Sequence, residues 1–255
     1  MPVFTSYATG VPCWVDVASP DLDRTLSFYS DFFGWEAERD PRPEAGGYTM
    51  FRKDGKYVAA ASAPPPGSEE MPPHWTTYIA SDDVDATAAR VREAGGTLLM
   101  EPFDVLDAGR MAVVQDPTGA IFAIWQAGSH HGAELATEPG ALAWNECQTR
   151  DAEAAAAFYR AVFGYEIRRA DIGSEYRVLE VDGRGVAGMF PIPPEMRELP
   201  PNWATTFAVE DVDDAARRAQ ELGATVLSGP FDIPDVGRYA VVQDPVGAVF
   251  GVLAG

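Results

Sequence analysis

The chain repeats itself, and a chain of this length that does so is constrained to fold as two copies of one unit. Residues 14–36, WVDVASPDLDRTLSFYSDFFGWE, return at residues 144–166 as WNECQTRDAEAAAAFYRAVFGYE, an offset of 130. Trp14 then stands against Trp144, Phe28-Tyr29 against Phe158-Tyr159 and Phe33-Gly34 against Phe163-Gly164. Residues 75–122 return at 203–250 with an offset of 128, through Trp75 and Trp203, Asp83-Val84-Asp85 and Asp211-Val212-Asp213, Gly109-Arg110 and Gly237-Arg238, and a shared VVQDP. Two domains follow, at 1–127 and 142–255, joined by a polar linker at 128–141 that carries glycine and proline. His130 and His131 lie in that linker and read as solvated side chains.

Each half contains a second, weaker echo. The run WVDVA reads as a strand, followed by a helix that Ser19 caps, with Pro20 in its first position and acids in its first turn. Leu22, Leu26, Tyr29 and Phe33 recur at helical spacing, and Gly34 suits a left-handed C-terminal cap. Strand candidates follow at 35–39, 47–53 and 56–62. From residue 75 the order returns: strand TTYIA, helix DVDATAARVREAG closed by Gly95-Gly96, and strands near 97–100, 109–115 and 120–126. The fold class is therefore α+β, with four βαβββ modules forming two cupped, eight-stranded mixed sheets, helices outside and a cleft within each cup. Phe122, Phe207 and Phe250 are expected beneath the helices. The proline-rich stretches 64–73 and 191–201 read as stiff connections between modules or as cleft lids.

Charge narrows the partners. With 39 acidic and 19 basic residues the net charge is -20, a field that repels phosphate backbones and anionic bilayers. No basic patch breaks it, so neither nucleic acid nor a membrane surface is an expected partner. No segment has the pattern of a leader or the length of a membrane span, which makes the cytoplasm the expected location. Cys13 and Cys147 are too few for a disulfide framework and form no metal-type pair, so each is expected to be a buried thiol.

The strand, the amphipathic helix carrying FY and ending in FGW or FGY, and the later DP-x-G turn before a last strand together resemble the vicinal oxygen chelate superfamily. That superfamily includes glyoxalase I, bleomycin-resistance proteins and extradiol dioxygenases. The tandem layout, at about 12–126 and 142–253, looks like the two-domain glyoxalase-like proteins of actinobacteria. The resemblance implies a divalent cation held by His or Gln on the first strand, His on the equivalent strand of the second module and Glu on the last strand. Counting from the FY helix, the DVD helix and the DP turn puts Trp14 and Trp144, Thr76 and Ala204, and Ala123 and Gly251 at those positions. None offers an imidazole or a carboxylate. A slip of one residue would bring in only His74, opposite Asn202 in the other half. No metal and no other cofactor is expected.

Strand alternation sets Trp14 with Asp16, and Trp144 with Glu146, on the face the resemblance assigns to the cleft. A carboxyl in an aromatic cup serves as a general base, binds a cation, or pairs with an arginine, and Arg110 and Arg238 are candidates both for that pairing and for contact with an anionic ligand. Tyr48, Tyr78, Trp125 and Tyr176 are the further candidates for ligand contact. The expected function is metal-independent binding of an aromatic, apolar or cationic small molecule by a monomer or homodimer. The alternatives are a metal-free isomerase, epimerase or lyase using Asp16 or Glu146 as base, and a glyoxalase-type lyase whose metal ligands lie out of the register counted here.

Overall fold

The computed structural model describes residues 3–64, 67, 70–170 and 175–255. The first half runs β1 (Pro12–Ala18), α1 (Leu22–Phe33), β2 (Glu36–Arg39), β3 (Thr49–Lys53) and β4 (Lys56–Ser62), then β5 (His74–Ala80), α2 (Val84–Glu93), β6 (Thr97–Val105), β7 (Gly109–Gln115) and β8 (Ile121–Ala127). The second half repeats it as β9 (Leu142–Thr149), α3 (Ala152–Phe163), β10 (Glu166–Arg169), β11 (Arg177–Val181) and β12 (Arg184–Pro191), then β13 (Asn202–Ala208), α4 (Val212–Glu221), β14 (Thr225–Ile233), β15 (Gly237–Gln243) and β16 (Val249–Ala254). Each half is one eight-stranded sheet, in the orders β2-β3-β4-β1-β5-β8-β7-β6 and β10-β11-β12-β9-β13-β16-β15-β14. The first strands of the two modules pair antiparallel at the centre, and each is flanked in parallel by the last strand of its own module.

Local chemistry explains the helix limits. Asp21 and Asp151 accept from the backbone N–H three residues on, and Gly34 and Gly164 close the helices at φ of 72° and 73°. The Ser19 cap is corrected. The buried Ser19 hydroxyl instead accepts from the Thr25 hydroxyl at 2.6 Å, and the helix begins after Asp21. Both cysteines are free and buried. Among the described residues no helix is long and apolar enough to cross a membrane.

The helices lie on the face of each sheet opposite the cleft, but that face is the inside of the molecule. It packs on the other domain, with α1 against α4, α2 against α3, and β5 against β13 between them. Phe207, Phe250 and α4 share one core with α1, while Phe122 and α2 share another with α3. This rotates the α1 stripe. Thr25, Phe28, Tyr29 and Phe32 are buried, and Leu22, Leu26 and Phe33 pack at the margin.

Polar contacts across this interface come in matched pairs. The Tyr29 hydroxyl accepts from Trp75 Nε1 at 3.0 Å and donates to Asp244 of the other domain at 3.0 Å. The Tyr159 hydroxyl accepts from Trp203 Nε1 at 2.7 Å and donates to Asp116 at 2.9 Å. Asp116 and Asp244, the acids of the two VVQDP turns, use their second oxygen to hold the N–H groups of their own turns. Trp35 and Tyr165, the last residues of FGW and FGY, donate across the interface to the carbonyls of Gly140 and Gly10. Asn145 spans the centre, donating to Thr77 at 2.8 Å and Thr205 at 3.3 Å. An orphaned polar group in such a core costs about 1–3 kcal/mol, so these pairs tie the domains into one folding unit.

Candidate functional site: two unequal clefts

On the open face of the first sheet Trp14 lies opposite Tyr78, Asp16 opposite Thr76 and Ala60, and Tyr78 opposite Ala123. The Asp16 carboxyl accepts from the hydroxyls of Tyr78 at 2.7 Å and Tyr48 at 3.1 Å, and Tyr48 accepts from Trp14 Nε1 at 2.9 Å. The second sheet repeats the chain of donors: Trp144 Nε1 gives to the Tyr176 hydroxyl at 2.8 Å, and Tyr176 to the Glu146 carboxyl. Trp14, Asp16, Tyr48 and Tyr78 thus meet in one cleft with Trp125, and Trp144, Glu146 and Tyr176 meet in the other. Burial pushes both carboxyls above the ordinary range, and the tyrosine hydrogen bonds only partly offset it.

Gln148, Asn202 and Tyr239 of the second cleft were not among the ligand contacts expected from the sequence. Gln148 donates to Glu146 at 2.9 Å, and Asn202 donates to Gln148 at 3.2 Å. Donors therefore converge on Glu146 from both sides, through Asn202 and Gln148 on one and Trp144 and Tyr176 on the other. The signal was present: Gln148 follows Glu146 at the strand period of two, on the same face.

The arginines are corrected. Arg110 is one residue out of step with Met111, the residue paired with Trp125, and its side chain faces the helix layer. It holds Asp85 of α2 at 2.8 Å and Asp104 at 2.8 Å. Arg238 repeats this with Asp213 of α4 and Asp232. Neither reaches a cleft, and neither pairs with Asp16 or Glu146.

His130 is also corrected. The linker folds over the first cleft, where the imidazole lies edge-on to Trp14 at a centroid distance of 4.5 Å, 5.9 Å from Trp125 and 6.2 Å from Tyr57. Trp125 Nε1 donates to the His130 carbonyl at 3.1 Å, and Ala133, fully buried, donates its N–H to the Cys13 carbonyl. Burial lowers the imidazole to about 4, so it is neutral. His131 stays exposed. The consequence is a sealed first cleft: Trp14 is 2% exposed, Asp16 5%, Tyr78 9% and Trp125 6%. In the second cleft Trp144 and Glu146, the counterparts of Trp14 and Asp16, keep partial exposure, as does Gln148, while Tyr48 and Tyr176 are partly exposed alike.

The register also tests the fit of a divalent cation. Trp75 points to the helix side, where it donates to Tyr29, so Thr76 is the cleft residue of that strand. His74 lies at the strand end, its Nδ1 2.9 Å from the Pro72 carbonyl. At the last-strand position Ala123 is fully buried, and Gly251 lies against the hydroxyls of Tyr239 and Thr206. Among the described residues no three His, Cys, Asp or Glu side chains gather. At the counted positions an indole N–H, methyl groups and hydroxyls do not hold a catalytic divalent cation, and the carboxyl of each cleft, Asp16 or Glu146, belongs to no group of three such ligands among the described residues, so these residues do not fit one.

Two recesses lie outside the second cleft. One of about 280 Å³ sits beside the sealed cleft, lined by Tyr7, Cys13, Trp125 and His131 among others. A groove of about 880 Å³ runs between α1 and α4.

Residues 13–124 match the family model of the glyoxalase/bleomycin resistance protein/dioxygenase superfamily, and residues 144–253 match that of a glyoxalase-like domain. A protein of Mycobacterium tuberculosis named "Putative glyoxylase CFP32" is 45% identical over 257 residues, covering 99% of this chain and 98% of its own. The anthracycline biosynthesis protein DnrV of Streptomyces peucetius is 42% identical over 264 residues, covering 98% and 94%. In solved structures, the Mn(II)-bound glyoxalase of Novosphingobium aromaticivorans superposes with a TM-score of 0.66 at 18% identity, over 96% of this chain and 82% of that one. The 2,3-dioxygenase LapB of Pseudomonas sp. KL28 does so with 0.69 at 15%, over 98% and 94%. These two likenesses are of fold.

Proposed function

The chain belongs to the glyoxalase/bleomycin resistance protein/dioxygenase superfamily, and from that premise we propose that it binds a small molecule in its second cleft without a metal. The observation that carries this reading is the asymmetry of the two cups. One has Trp14, Asp16, Tyr78 and Trp125 buried beneath the linker, while the other leaves Trp144 and the row Glu146, Gln148 and Asn202 within reach of solvent. A flat aromatic face beside a few convergent polar groups is the usual make-up of a small-molecule site. The relatives named for anthracycline biosynthesis support an aromatic ligand. The acid at the centre supports a hydrogen-bonding or cationic substituent.

A second reading, a metal-free isomerase, epimerase or lyase, draws on the same acid. Asp16 is sealed, so the base would be Glu146, which has partial exposure and donors on both sides.

Titration calorimetry with planar hydroxyquinones and with quaternary ammonium compounds tests the binding reading. Binding is expected, and Trp144→Ala should weaken it about tenfold, the worth of one aromatic contact. A panel in which nothing binds the wild-type chain refutes the proposal. Conversion of a bound compound, lost in Glu146→Gln while binding persists, would favour the enzyme.

A further inference from the structure

Strand pairing makes every residue of one cleft the counterpart of a residue in the other. Arg52 pairs with Tyr57 and Glu180 with Gly185, in each case just past the same bulge after the pairs Phe51 with Ala59 and Leu179 with Ala187, so Tyr57 corresponds to Gly185. Met111 pairs with Trp125 and Tyr239 with Leu253, so Trp125 corresponds to Leu253 and Met111 to Tyr239. Tyr78 corresponds to Thr206, each opposite its tryptophan.

In the first cleft the Trp14 ring is covered by His130, with Tyr57 and Trp125 as the side walls of that covering group. In the second cleft both walls are cut away, to Gly185 and Leu253. Among the described residues no ring packs on Trp144, and a Cβ at 185 would come within 3.7 Å of the Trp144 ring edge. Tyr239 returns bulk elsewhere: its hydroxyl sits against Gly251 and Thr206, on the side that Tyr78 and Ala123 fill in the first cleft.

The linker histidine is thus a tethered occupant of a subsite that the second cleft keeps and leaves uncovered. Resting on the binding reading above, we propose that the ligand of the second cleft is an uncharged, planar, fused aromatic whose ring takes, over Trp144, the place that His130 takes over Trp14. Shape supports fused rings, because the lost phenol of Tyr57, the lost part of the Trp125 indole and the missing imidazole border one another. Polarity supports a neutral ring. Among the described residues the buried His130 Nε2 has no hydrogen-bond partner, so in the first cleft this subsite supplies packing and no polar contact to the ring. The imidazole that occupies it carries no charge.

Refilling the subsite tests this. Gly185→Tyr restores the first cleft's wall and has to displace one Val178 methyl, 2.9 Å from a Cβ at 185. Leu253→Trp restores the other wall at a partly exposed position. The probes are 1-hydroxyanthraquinone, uncharged, and N-methylacridinium, a cation of similar outline, titrated against the full chain by tryptophan fluorescence and calorimetry. The wild type is expected to bind the quinone at one equivalent per chain, and each refilling variant to bind it at least about tenfold more weakly. Should Gly185→Tyr fail to fold, Leu253→Trp carries the test alone. Quinone affinity unchanged by refilling, in a wild type that does bind, overturns the subsite while sparing the binding reading. Preference for the acridinium overturns the neutral class, and two equivalents per chain overturn His130 as the first cleft's occupant. If neither probe nor any other panel member binds, both proposals fall.

Discussion

Tyr29→Phe is the sharpest test of how the two domains hold together. It removes one oxygen that has two partners, Trp75 of its own domain and Asp244 of the other, in a site where Tyr29 is fully buried and Asp244 is 4% exposed. A hydrogen bond to a carboxylate contributes about 1.5–3 kcal/mol, and an orphaned buried N–H costs about 1–3 kcal/mol. Tyr29→Phe should therefore lose about 3–4 kcal/mol, a large share of the roughly 5–15 kcal/mol that stabilises an ordinary protein. Asp244→Asn breaks the same contact, so the double variant should fall short of the sum of the singles by about 1–3 kcal/mol. Tyr159→Phe cuts the matching lock, which shares no partner with the first, and its loss should add to that of Tyr29→Phe. The assay is guanidinium unfolding followed by tryptophan fluorescence and circular dichroism, with Tyr57→Phe, at the cleft rim, as the control. Because both cores are built from both halves, the wild type should unfold in one transition. A loss below about 1 kcal/mol, or unfolding that splits into two steps of which only one shifts, would refute the reasoning.

His130 gives a pH signature. Its folded value, about 4, lies below the ordinary 6.5, so between those values the unfolded chain binds a proton that the folded chain refuses, and stability rises with pH. The full shift would amount to about 3 kcal/mol, and for a ring that keeps some exposure about 1–2 kcal/mol is expected. Asp16 and Glu146, raised by burial, work in the opposite direction, so the quantity to read is wild type minus His130→Ala from pH 4 to 7. A difference level across that range counts against a buried neutral imidazole. Arg110→Ala and Arg238→Ala remove exposed ion pairs and should cost about 1 kcal/mol or less in urea unfolding, with ligand affinity unchanged. A drop in affinity would return the arginines to the cleft. Excess nickel, zinc or manganese should leave the melting temperature where it was, and a chelator-reversible rise of several degrees would contradict the donor set described above.

The fold was legible because a duplicated pattern supplies its own check. Strand alternation was enough to put Trp14 with Asp16 and Trp144 with Glu146, and Tyr48 and Tyr176 then fell into matching places. It failed where neighbours in space are not neighbours in sequence. Asn202 joins the second cleft only because β13 pairs with β9 and sets it opposite Gln148. Arg110 and Arg238 face the helix layer because each is one residue out of step with the strand position paired with Trp125 or Leu253, a parity that depends on cross-strand pairing. His130 had no local signal at all. A polar linker reads as solvated, and only the fold shows that it crosses an aromatic cup.

The sequence features that betray the duplication turn out to act mainly between the domains. The tyrosine of FY, the last ring of FGW and FGY, and the aspartate of VVQDP each reach a partner in the opposite half. None of these three lies on a cleft face, although Trp14 and Trp144, also part of the repeat, do, so the interdomain locks and the lining of the cups are built from different side chains. A substitution in a cup leaves every interdomain contact in place, which is the physical condition under which one cup can close around a linker histidine while the other stays open. It follows that cleft variants such as Leu253→Trp and Trp144→Ala should alter binding at nearly constant stability, whereas lock variants such as Tyr29→Phe should alter stability first and binding only through loss of the fold.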